Sequence, residues 1–363
     1  MRNELNNTMK TIWILGAGAT ISNDRKYPSI MDFFSRGKEY FLINESSKTV
    51  RDEYEDLKNY ALNYLNKNIM RKNDKIDIEY FLTHLYIEFD NSKNPEIENM
   101  INKIIGLIKK VLLESEKRAP FSTEYETLAT SFLNFNTSTI ITFNWDTLLD
   151  KILKSKKTPH YNYLERELSA KYLWGYTNGP KHSPYLEYPK NGELYLKLHG
   201  SIDWVTCKTS NCRLRNLMFL KEDITGEYYC SECHEVCNTL IIPPILNKQY
   251  NEYPSIKKAW NLAFKEISNS NKIIIWGYGL PPTDFYANWL FSRSTPKECE
   301  IIVINPEILT EKRNSETNEF TYSINKIFQK KFSDTFGDRK ITYYRYFSDF
   351  EISKNIFEKY ILK

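Results

Sequence analysis

Short runs of apolar and β-branched residues alternate along the chain with longer segments in which apolar residues recur every three or four positions. The runs predict buried strands at 11–15, 139–143, 194–198, 272–276, 300–304 and 341–346. The helical pattern covers 79–89 and 97–113, and it returns at 123–133, at 256–267 and from about 349. This order predicts an α/β protein with a Rossmann-like, doubly wound parallel sheet.

Two stretches interrupt the alternation of strands and helices. The first, 33–116, is helical throughout, and we expect a helical insertion in a main domain that spans 9–363. The second, 205–238, carries close pairs of cysteines and predicts a small zinc-binding module. Residues 1–8 are expected to form a flexible N-terminus. A chain of 363 residues is long enough to bury one large core with such a module beside it.

Composition and charge exclude several classes of protein. Hydrophobic residues make up 41% of the sequence, and no apolar run approaches the ~18 residues that span a bilayer. The formal net charge is only +4 and its charges are interspersed, which argues against direct nucleic-acid binding. The start is not a signal peptide, because Glu4 lies in the region that would be basic and the apolar run is only strand-length. We therefore expect a cytoplasmic protein.

Residues able to do chemistry follow the predicted strands directly. Ligands of doubly wound sheets bind beyond the carboxyl ends of the strands, where successive loops converge. Gly16, Ala17 and Gly18 could let backbone N–H groups approach a phosphate, or they could form an ordinary tight turn. Asn144 and Asp146 could contact a ligand or cap the next helix. In the same way, His199 could be a proton acceptor or a satisfied turn residue.

Four of the six cysteines form two close pairs. Four residues separate the first pair, two separate the second, and seventeen lie between the pairs. This spacing suits a tetrahedral zinc ribbon, in which four thiolates close the metal shell and make the site structural. The alternatives are unpaired thiols in a loop, or substitution of a ligand by His234 or Cys237. The predicted ligands are Cys207, Cys212, Cys230 and Cys233.

The ordered segments GAGAT, FNWD, LHGS, the two cysteine pairs, GYGL and VIN resemble the sirtuin family. The resemblance implies NAD as the bound molecule. It assigns His199 as general base, Asn144 to water and ribose, and Asp146 to the nicotinamide end. Tyr278 departs from the family's threonine or serine. The residues that the resemblance places along the rest of NAD are Gly16, Ala17, Gly18, Thr20, Gly277, Tyr278 and, at the adenosine ribose, Asn305.

The chain departs from protein-deacylating sirtuins in two segments. A GIPDFR-like segment is replaced by SNDRKYPSIMDFF, and the region of the FGE segment reads LIIPPILNKQY. In deacylases the FGE region pairs with the acylated peptide as an added strand, so its absence favours water as the acceptor. The chain also carries GYGLPPTDF, a form that resembles bacterial sirtuin-like proteins of antiphage defence, which degrade NAD.

The resemblance therefore implies an NAD+ glycohydrolase that releases nicotinamide and ADP-ribose as an NAD-depleting effector of antiphage defence. The alternatives are an NAD-dependent protein deacylase and a non-catalytic sensor of NAD or ADP-ribose. Because such an effector must be silent until infection, we expect a homo-oligomer or a regulatory partner, such as a co-encoded ATPase. The helical insertion could supply the interface, or its apolar stripes could only pack on the sheet.

Overall fold

The computed structural model describes residues 9–42, 48–71, 75–119, 122–134, 137–156, 161–162, 194–216, 218–220, 228–242, 253–313 and 320–361. The predicted flexible N-terminus, 1–8, lies outside these residues, as do parts of the predicted zinc module. The strands are β1 (Thr11–Leu15), β2 (Ser138–Thr142), β3 (Tyr161–Asn162), β4 (Leu194–Lys197), β5 (Gly200–Thr206), β6 (Met218–Leu220), β7 (Asn238–Ile241), β8 (Lys272–Trp276), β9 (Glu300–Ile304), β10 (Leu309–Arg313), β11 (Phe320–Ile324) and β12 (Ile341–Tyr344).

Helices pack on both faces of the main sheet. They are α1 (Ala17–Asn23), α2 (Phe33–Phe41), α3 (Lys48–Leu65), α4 (Ile78–Ser92), α5 (Pro95–Arg118), α6 (Thr123–Thr127), α7 (Leu148–Ser155), α8 (Pro254–Ser268), α9 (Phe285–Ser294), α10 (Lys326–Phe336) and α11 (Phe347–Ile361). A π-helical turn, Leu128–Phe132, continues α6, and a 3₁₀ turn, Pro306–Ile308, follows β9. No helix in the described part of the chain is both long and apolar enough to cross a membrane.

A parallel sheet of seven strands forms the centre, in the order β12-β9-β8-β1-β2-β4-β3. This confirms the predicted fold class. The chain first builds outward from β1 through β2, and later returns to add β8 on the other side of β1. The boundary between β1 and β8 is therefore the switch point of the sheet, and doubly wound sheets bind ligands beyond the carboxyl ends of the strands at such a point.

The sheet is buried on both faces, which explains its continuous apolar strands. Trp13 and Leu15 face one core, while Ile12 and Ile14 face the other, as the two-residue period of a strand requires. The first core also holds buried residues of α2 to α5, and the second holds residues of α8, α9 and α10. The predicted helical segment 33–116 thus packs its apolar side into the same core as the sheet.

Two of the inserted helices begin after residues of a type that commonly caps helices. Asp77 accepts hydrogen bonds from the first turn of α4, and Asn94 does the same for α5, whose first residue is Pro95.

Two small sheets complete the fold: β6-β5-β7, which carries the cysteines, and the hairpin β10-β11. Neither was predicted. β5 is buried throughout, but its sequence GSIDWVT is not a continuous apolar run, and the other strands are only three to five residues long.

Candidate functional site

The glycine turn after β1 packs directly against the loop after β8. Gly16 N–H donates to Trp276 O at 3.0 Å, and Gly18 N–H donates to Gly277 O at 2.9 Å. A Cβ at Gly16 or Gly18 would lie 2.6 or 2.8 Å from that same Gly277 oxygen. The small residues at 16–18 therefore allow two backbones to meet at the switch point, in addition to any role toward a ligand.

Replacing Gly277 with alanine is expected to destabilise the protein strongly. Its φ is +66°, and an added Cβ would lie 1.9 Å from Ala19 N. Overpacking together with a left-handed conformation predicts a loss of about 2–4 kcal/mol in the free energy of unfolding, measured by urea denaturation. Gly106 in α5 is the matched control, because no atom lies within 4 Å of its added Cβ. Gly106→Ala should be neutral or stabilising, and equal stability of the two variants would contradict the packing described.

The loop after β2 forms a buried polar group with the first helix. Asn144 Nδ2 donates to Gly16 O at 2.9 Å and to Thr20 Oγ1 at 3.0 Å. Thr20 Oγ1 donates to Asp146 Oδ2 at 2.9 Å and lies 2.9 Å from the hydroxyl of Tyr125. The structure thus brings together three residues that the sequence analysis assigned to NAD: Thr20, Asn144 and Asp146.

Asp146 is buried and also caps a helix. Its Oδ1 accepts a hydrogen bond from Leu148 N at 3.1 Å, at the start of α7. Burial raises the pKa of Asp146 to about 6, although Lys197 opposes this rise. The carboxyl group therefore changes charge close to neutral pH, within the site itself.

Lys197 lies completely buried at the end of β4, beneath the Asn144–Asp146 loop. Its Nζ donates to Asp146 O at 2.6 Å and to Asp150 Oδ2 at 3.2 Å. Burial alone would lower the pKa of Lys197, but Asp150, Asp203 and Asp146 outweigh it and raise that pKa. Sequence analysis missed this lysine, although a charge inside the apolar run LYLKL was a visible signal.

His199 belongs to a second buried group. It is 3% exposed, and its Nε2 lies 3.3 Å from Oδ2 of the fully buried Asp284. The same oxygen accepts a hydrogen bond from the Tyr278 hydroxyl at 2.6 Å. The imidazole packs edge-on against Phe143, with 4.9 Å between ring centroids, and tilted against Trp260 at 6.2 Å. Asp284 is the aspartate of the GYGLPPTDF segment, a residue to which the sirtuin resemblance assigned no role.

The two groups lie on neighbouring strand ends. Phe143 touches His199 and directly precedes Asn144, and Leu198 N–H donates to Thr142 O at 3.0 Å. Asn144 and its neighbours contact α1 and α6, whereas His199 contacts the loop before α9. The structure therefore divides the predicted site into an amide–carboxyl group and a histidine–carboxyl group, side by side at the edge of the sheet.

The glycine of LHGS is required by the neighbouring strand β7. Gly200 has φ +78°, and a Cβ there would lie 2.2 Å from Leu240 O. Around it, Ile202 N–H donates to Trp145 O at 2.9 Å, and Ile242 N–H donates to His199 O at 2.9 Å. The cysteine-bearing sheet is thus hydrogen-bonded to the backbone of both candidate loops.

Asn305 and Tyr278 have identified partners within the protein. The Asn305 carboxamide oxygen accepts from Glu307 N at 3.0 Å and caps the 3₁₀ turn after β9. The Tyr278 ring stacks on Phe143 at 4.4 Å and points toward Asp284. Their predicted contacts to NAD stay predictions.

The four predicted zinc ligands converge. All four Sγ atoms lie within 4.8 Å of one another, and two pairs, Cys207 with Cys233 and Cys212 with Cys230, are 3.6 Å apart. These distances are too long for disulfides, and they match the S–S edge of about 3.8 Å in a zinc tetrahedron with Zn–S bonds of about 2.3 Å. The donors therefore fit a structural zinc ion, without recourse to His234, which is exposed.

A separate basic depression of about 440 Å³ lies at the opposite end of the sheet, around Lys326, Lys330 and Arg339. It lies at the start of β12 and shares no lining residue with either candidate group.

No known protein-family model matches the chain, and none of the curated proteins matches it significantly. Several solved structures resemble it. A Sir2 protein with a deacetylated p53 peptide and 3′-O-acetyl ADP-ribose is 12% identical, over 97% of this chain and 93% of that one, with a TM-score of 0.41. A triple mutant of a Sir2 homologue with 2′-O-acetyl ADP-ribose is 16% identical, over 84% and 85%, with a TM-score of 0.40.

A further mutant Sir2 homologue, in complex with ADP-ribose, is 13% identical to this chain and covers 82% of it and 81% of its own length, with a TM-score of 0.38. At these identities and TM-scores, the similarity decides neither the substrate nor the reaction of this chain.

Proposed function

We propose that the chain hydrolyses NAD+ to nicotinamide and ADP-ribose. One observation carries the proposal: the Asn144–Asp146 loop and His199 lie on adjacent strand ends, beside the glycine-lined switch point of a doubly wound sheet. This is where such sheets bind nucleotides. The sirtuin-like order of the motifs at these loops supports NAD as that nucleotide.

NAD would extend across the loops after β1, β2, β8 and β9. The N–H groups of Gly16 and Gly18 already donate to Trp276 O and Gly277 O, so a pyrophosphate at the start of α1 would bond to Ala17 N–H. Gly277 and Tyr278 would lie near the phosphates and Asn305 near the adenosine ribose. The nicotinamide end would then lie at the buried group that contains Thr20, Asn144 and Asp146.

The reaction breaks the bond between C1′ of the ribose and the nicotinamide nitrogen. The bonding electron pair leaves with nicotinamide, which becomes neutral, and C1′ passes through an oxocarbenium-like transition state. A water oxygen bonds to C1′, and His199 accepts the proton that this water releases. Asn144 would hold the water and the ribose, and Asp146 would orient the nicotinamide.

The test measures the rate at which the purified protein releases nicotinamide from NAD. Chromatography quantifies the released nicotinamide. His199→Ala and Asn144→Ala should each lower the rate roughly 10²–10⁴-fold, the usual contribution of a positioned acid or base. His84→Ala is the matched control and should keep the rate, because His84 lies on α4 beside Tyr60. An unchanged rate in both site variants would contradict the proposal.

The same assay separates the alternative activities. Nicotinamide release that requires an acylated peptide would identify a protein deacylase instead. Binding of NAD or ADP-ribose without turnover, measured by calorimetry, would identify a sensor. Release from NAD alone identifies the hydrolase.

We also propose that this activity serves antiphage defence and is controlled by homo-oligomerisation or by a regulatory partner, such as a co-encoded ATPase. Exposed Tyr64, Tyr80 and Ile87 on the inserted helices α3 and α4 offer apolar contact area for such control. Light scattering with and without the partner measures the assembly, and a monomer under both conditions would argue against it.

A further inference from the structure

Lys197 links the buried end of β4 to the loop that carries Asn144 and Asp146. We propose that Lys197 is a positioning residue for NAD hydrolysis, which holds this loop through the main-chain carbonyl of Asp146 and places a positive charge beneath it. The inference rests on the proposed function for its effect on the rate, but the action of the charge on Asp146 can be measured without any turnover.

The loop after β2 is held by side chains from neighbouring elements. Residues 143–147 form neither helix nor strand. Asp146 O accepts a hydrogen bond from Lys197 Nζ at 2.6 Å, and Thr147 N–H donates to Glu116 Oε1 at 2.8 Å. Charged side chains of β4 and α5 therefore fix two consecutive residues of the loop.

The bond to Asp146 O constrains where the side chains of the loop lie. Asn144 Nδ2 donates to Gly16 O and to Thr20 Oγ1, and Asp146 Oδ2 accepts from the same Thr20 hydroxyl at 2.9 Å. A shift of the main chain at Asp146 would move both side chains away from the switch point. In the proposed reaction they hold water, ribose and nicotinamide, and misplacement by about 1 Å can lower a rate roughly 10²-fold.

The ion pair with Asp150 does not by itself account for the lysine. Lys197 Nζ lies 3.2 Å from Asp150 Oδ2, and both side chains are buried. Apolar residues of similar volume often stabilise a protein as well as a buried ion pair does. An ammonium group has three hydrogens, so it can donate to a main-chain carbonyl as well as to a carboxylate. The bond to Asp146 O therefore gives the buried charge a role beyond stability.

The charge of Lys197 also acts on the Asp146 carboxyl group. Burial raises the pKa of Asp146 to about 6, and Lys197 is the strongest of the groups that oppose this rise. Both carboxyl oxygens accept hydrogen bonds, from Thr20 and from Leu148, which also favours the ionised form. Loss of the cation should therefore raise this pKa further. The other titratable groups that interact with Asp146 or Lys197 are Tyr27 between α1 and α2, Glu116 on α5, Tyr125 on α6, Asp150 on α7, Tyr195 on β4 and Asp203 on β5.

Two variants separate positioning from stability. Lys197→Met removes the bond to Asp146 O and leaves the Asp150 charge unpaired, so it should lower both kcat and the urea midpoint of unfolding. The double variant Lys197→Met/Asp150→Asn also removes the unpaired charge, and it should unfold at a higher urea concentration than Lys197→Met. Its kcat for nicotinamide release should stay roughly 10²-fold below that of the wild type, because the bond to Asp146 O is still missing.

Asp150→Asn is the matched control. Its amide oxygen can still accept from Lys197 and Tyr195, and the bond from Lys197 to Asp146 O stays in place. Loss of the buried charge should lower the urea midpoint while kcat stays at the wild-type value. Wild-type kcat in the double variant, or the same loss of kcat in Asp150→Asn as in Lys197→Met, would overturn the inference, because activity would then follow the ion pair.

The titration of Asp146 is a test that needs no turnover. In protein with ¹³C-labelled aspartate carboxyl groups, the NMR signal that disappears in Asp146→Asn belongs to Asp146. Its midpoint should lie near pH 6 in the wild type and at a higher pH in Lys197→Met. An unchanged midpoint would overturn the inference even if NAD hydrolysis were confirmed. Absence of hydrolysis in the wild type would overturn the proposed function, whereas a raised midpoint would still confirm that Lys197 acts on Asp146.

Discussion

Replacing Lys197 with methionine is expected to lower the free energy of unfolding by ~3–5 kcal/mol, because it leaves buried carboxylates without their cation. Lys197 Nζ lies 3.2 Å from Asp150 Oδ2, which also accepts from the Tyr195 hydroxyl. Within the described part of the chain, Asp150 Oδ1 and Asp203 Oδ1 are buried without a hydrogen-bond partner. The positive charge of Lys197 therefore compensates more negative charge than its direct contacts show.

The stability loss caused by Lys197→Met should increase as the pH rises. Burial already raises the pKa values of Asp146, to about 6, and of Asp203 in the folded protein. A carboxyl group whose pKa is raised by folding binds more protons in the folded state, so stability declines as pH rises through that pKa. Without Lys197 these pKa values rise further. The difference between wild type and variant should thus be smallest near pH 4 and largest above pH 7, as the carboxyl groups ionise.

Urea denaturation across this pH range measures the effect. Lys330→Met is the matched control, because Lys330 and its partner Asp334 are 71% and 62% exposed and their ion pair is screened by solvent. The control should unfold like the wild type at every pH. A stability loss in Lys197→Met that is the same at pH 4 and pH 7 would contradict an electrostatic role for the lysine.

Removal of zinc is the second change for which we expect a large effect, both on the fold around the cysteines and on nicotinamide release. Structural zinc sites bind with an apparent free energy of ~10–16 kcal/mol, and the segments that hold the four ligands form only a small cluster around Val205 and Leu214. Cys230→Ser should therefore lose the bound metal and unfold these cysteine-bearing segments next to β5 and β7. Because Ile242 N–H donates to His199 O, nicotinamide release should fall as well.

Metal content by atomic absorption and proteolysis of the module measure this outcome. One zinc ion per wild-type chain is expected. Cys299→Ser is the matched control, since Cys299 is buried in the core of the main sheet beside Ser270. It should keep its zinc. A Cys230→Ser protein that retains one zinc ion would show that Cys230 is not a ligand.

The main strands could be predicted closely because their signal is local. The runs at 11–15, 272–276 and 300–304 coincide with β1, β8 and β9, and β2 is shifted by one residue from the predicted 139–143. Helices α4 and α5 include the predicted 79–89 and 97–113. A buried strand or an amphipathic helix needs only the pattern of its own residues to be recognised.

The candidate site was predicted only in part. Thr20, Asn144 and Asp146 carry recognisable motifs, and the structure places them in one hydrogen-bonded group. Tyr125 completes that group, but it lies in a short helix whose sequence gives no sign of it. Lys197 was visible as a charge within an apolar strand, yet a charge alone does not show which carboxylates surround it.

Two features of the candidate site were determined by the sequence alone. Asn144, Asp146 and His199 lie at the ends of predicted strands, and the cysteines have a spacing that suits zinc. Short-range sequence patterns encode both. Which side chains meet was decided only by the tertiary structure. It pairs His199 with Asp284, buries Lys197 among three carboxylates, and packs Gly277 against the turn after β1. These contacts join segments that are distant in the chain, and parallel strands bring such segments together only when the whole sheet has formed.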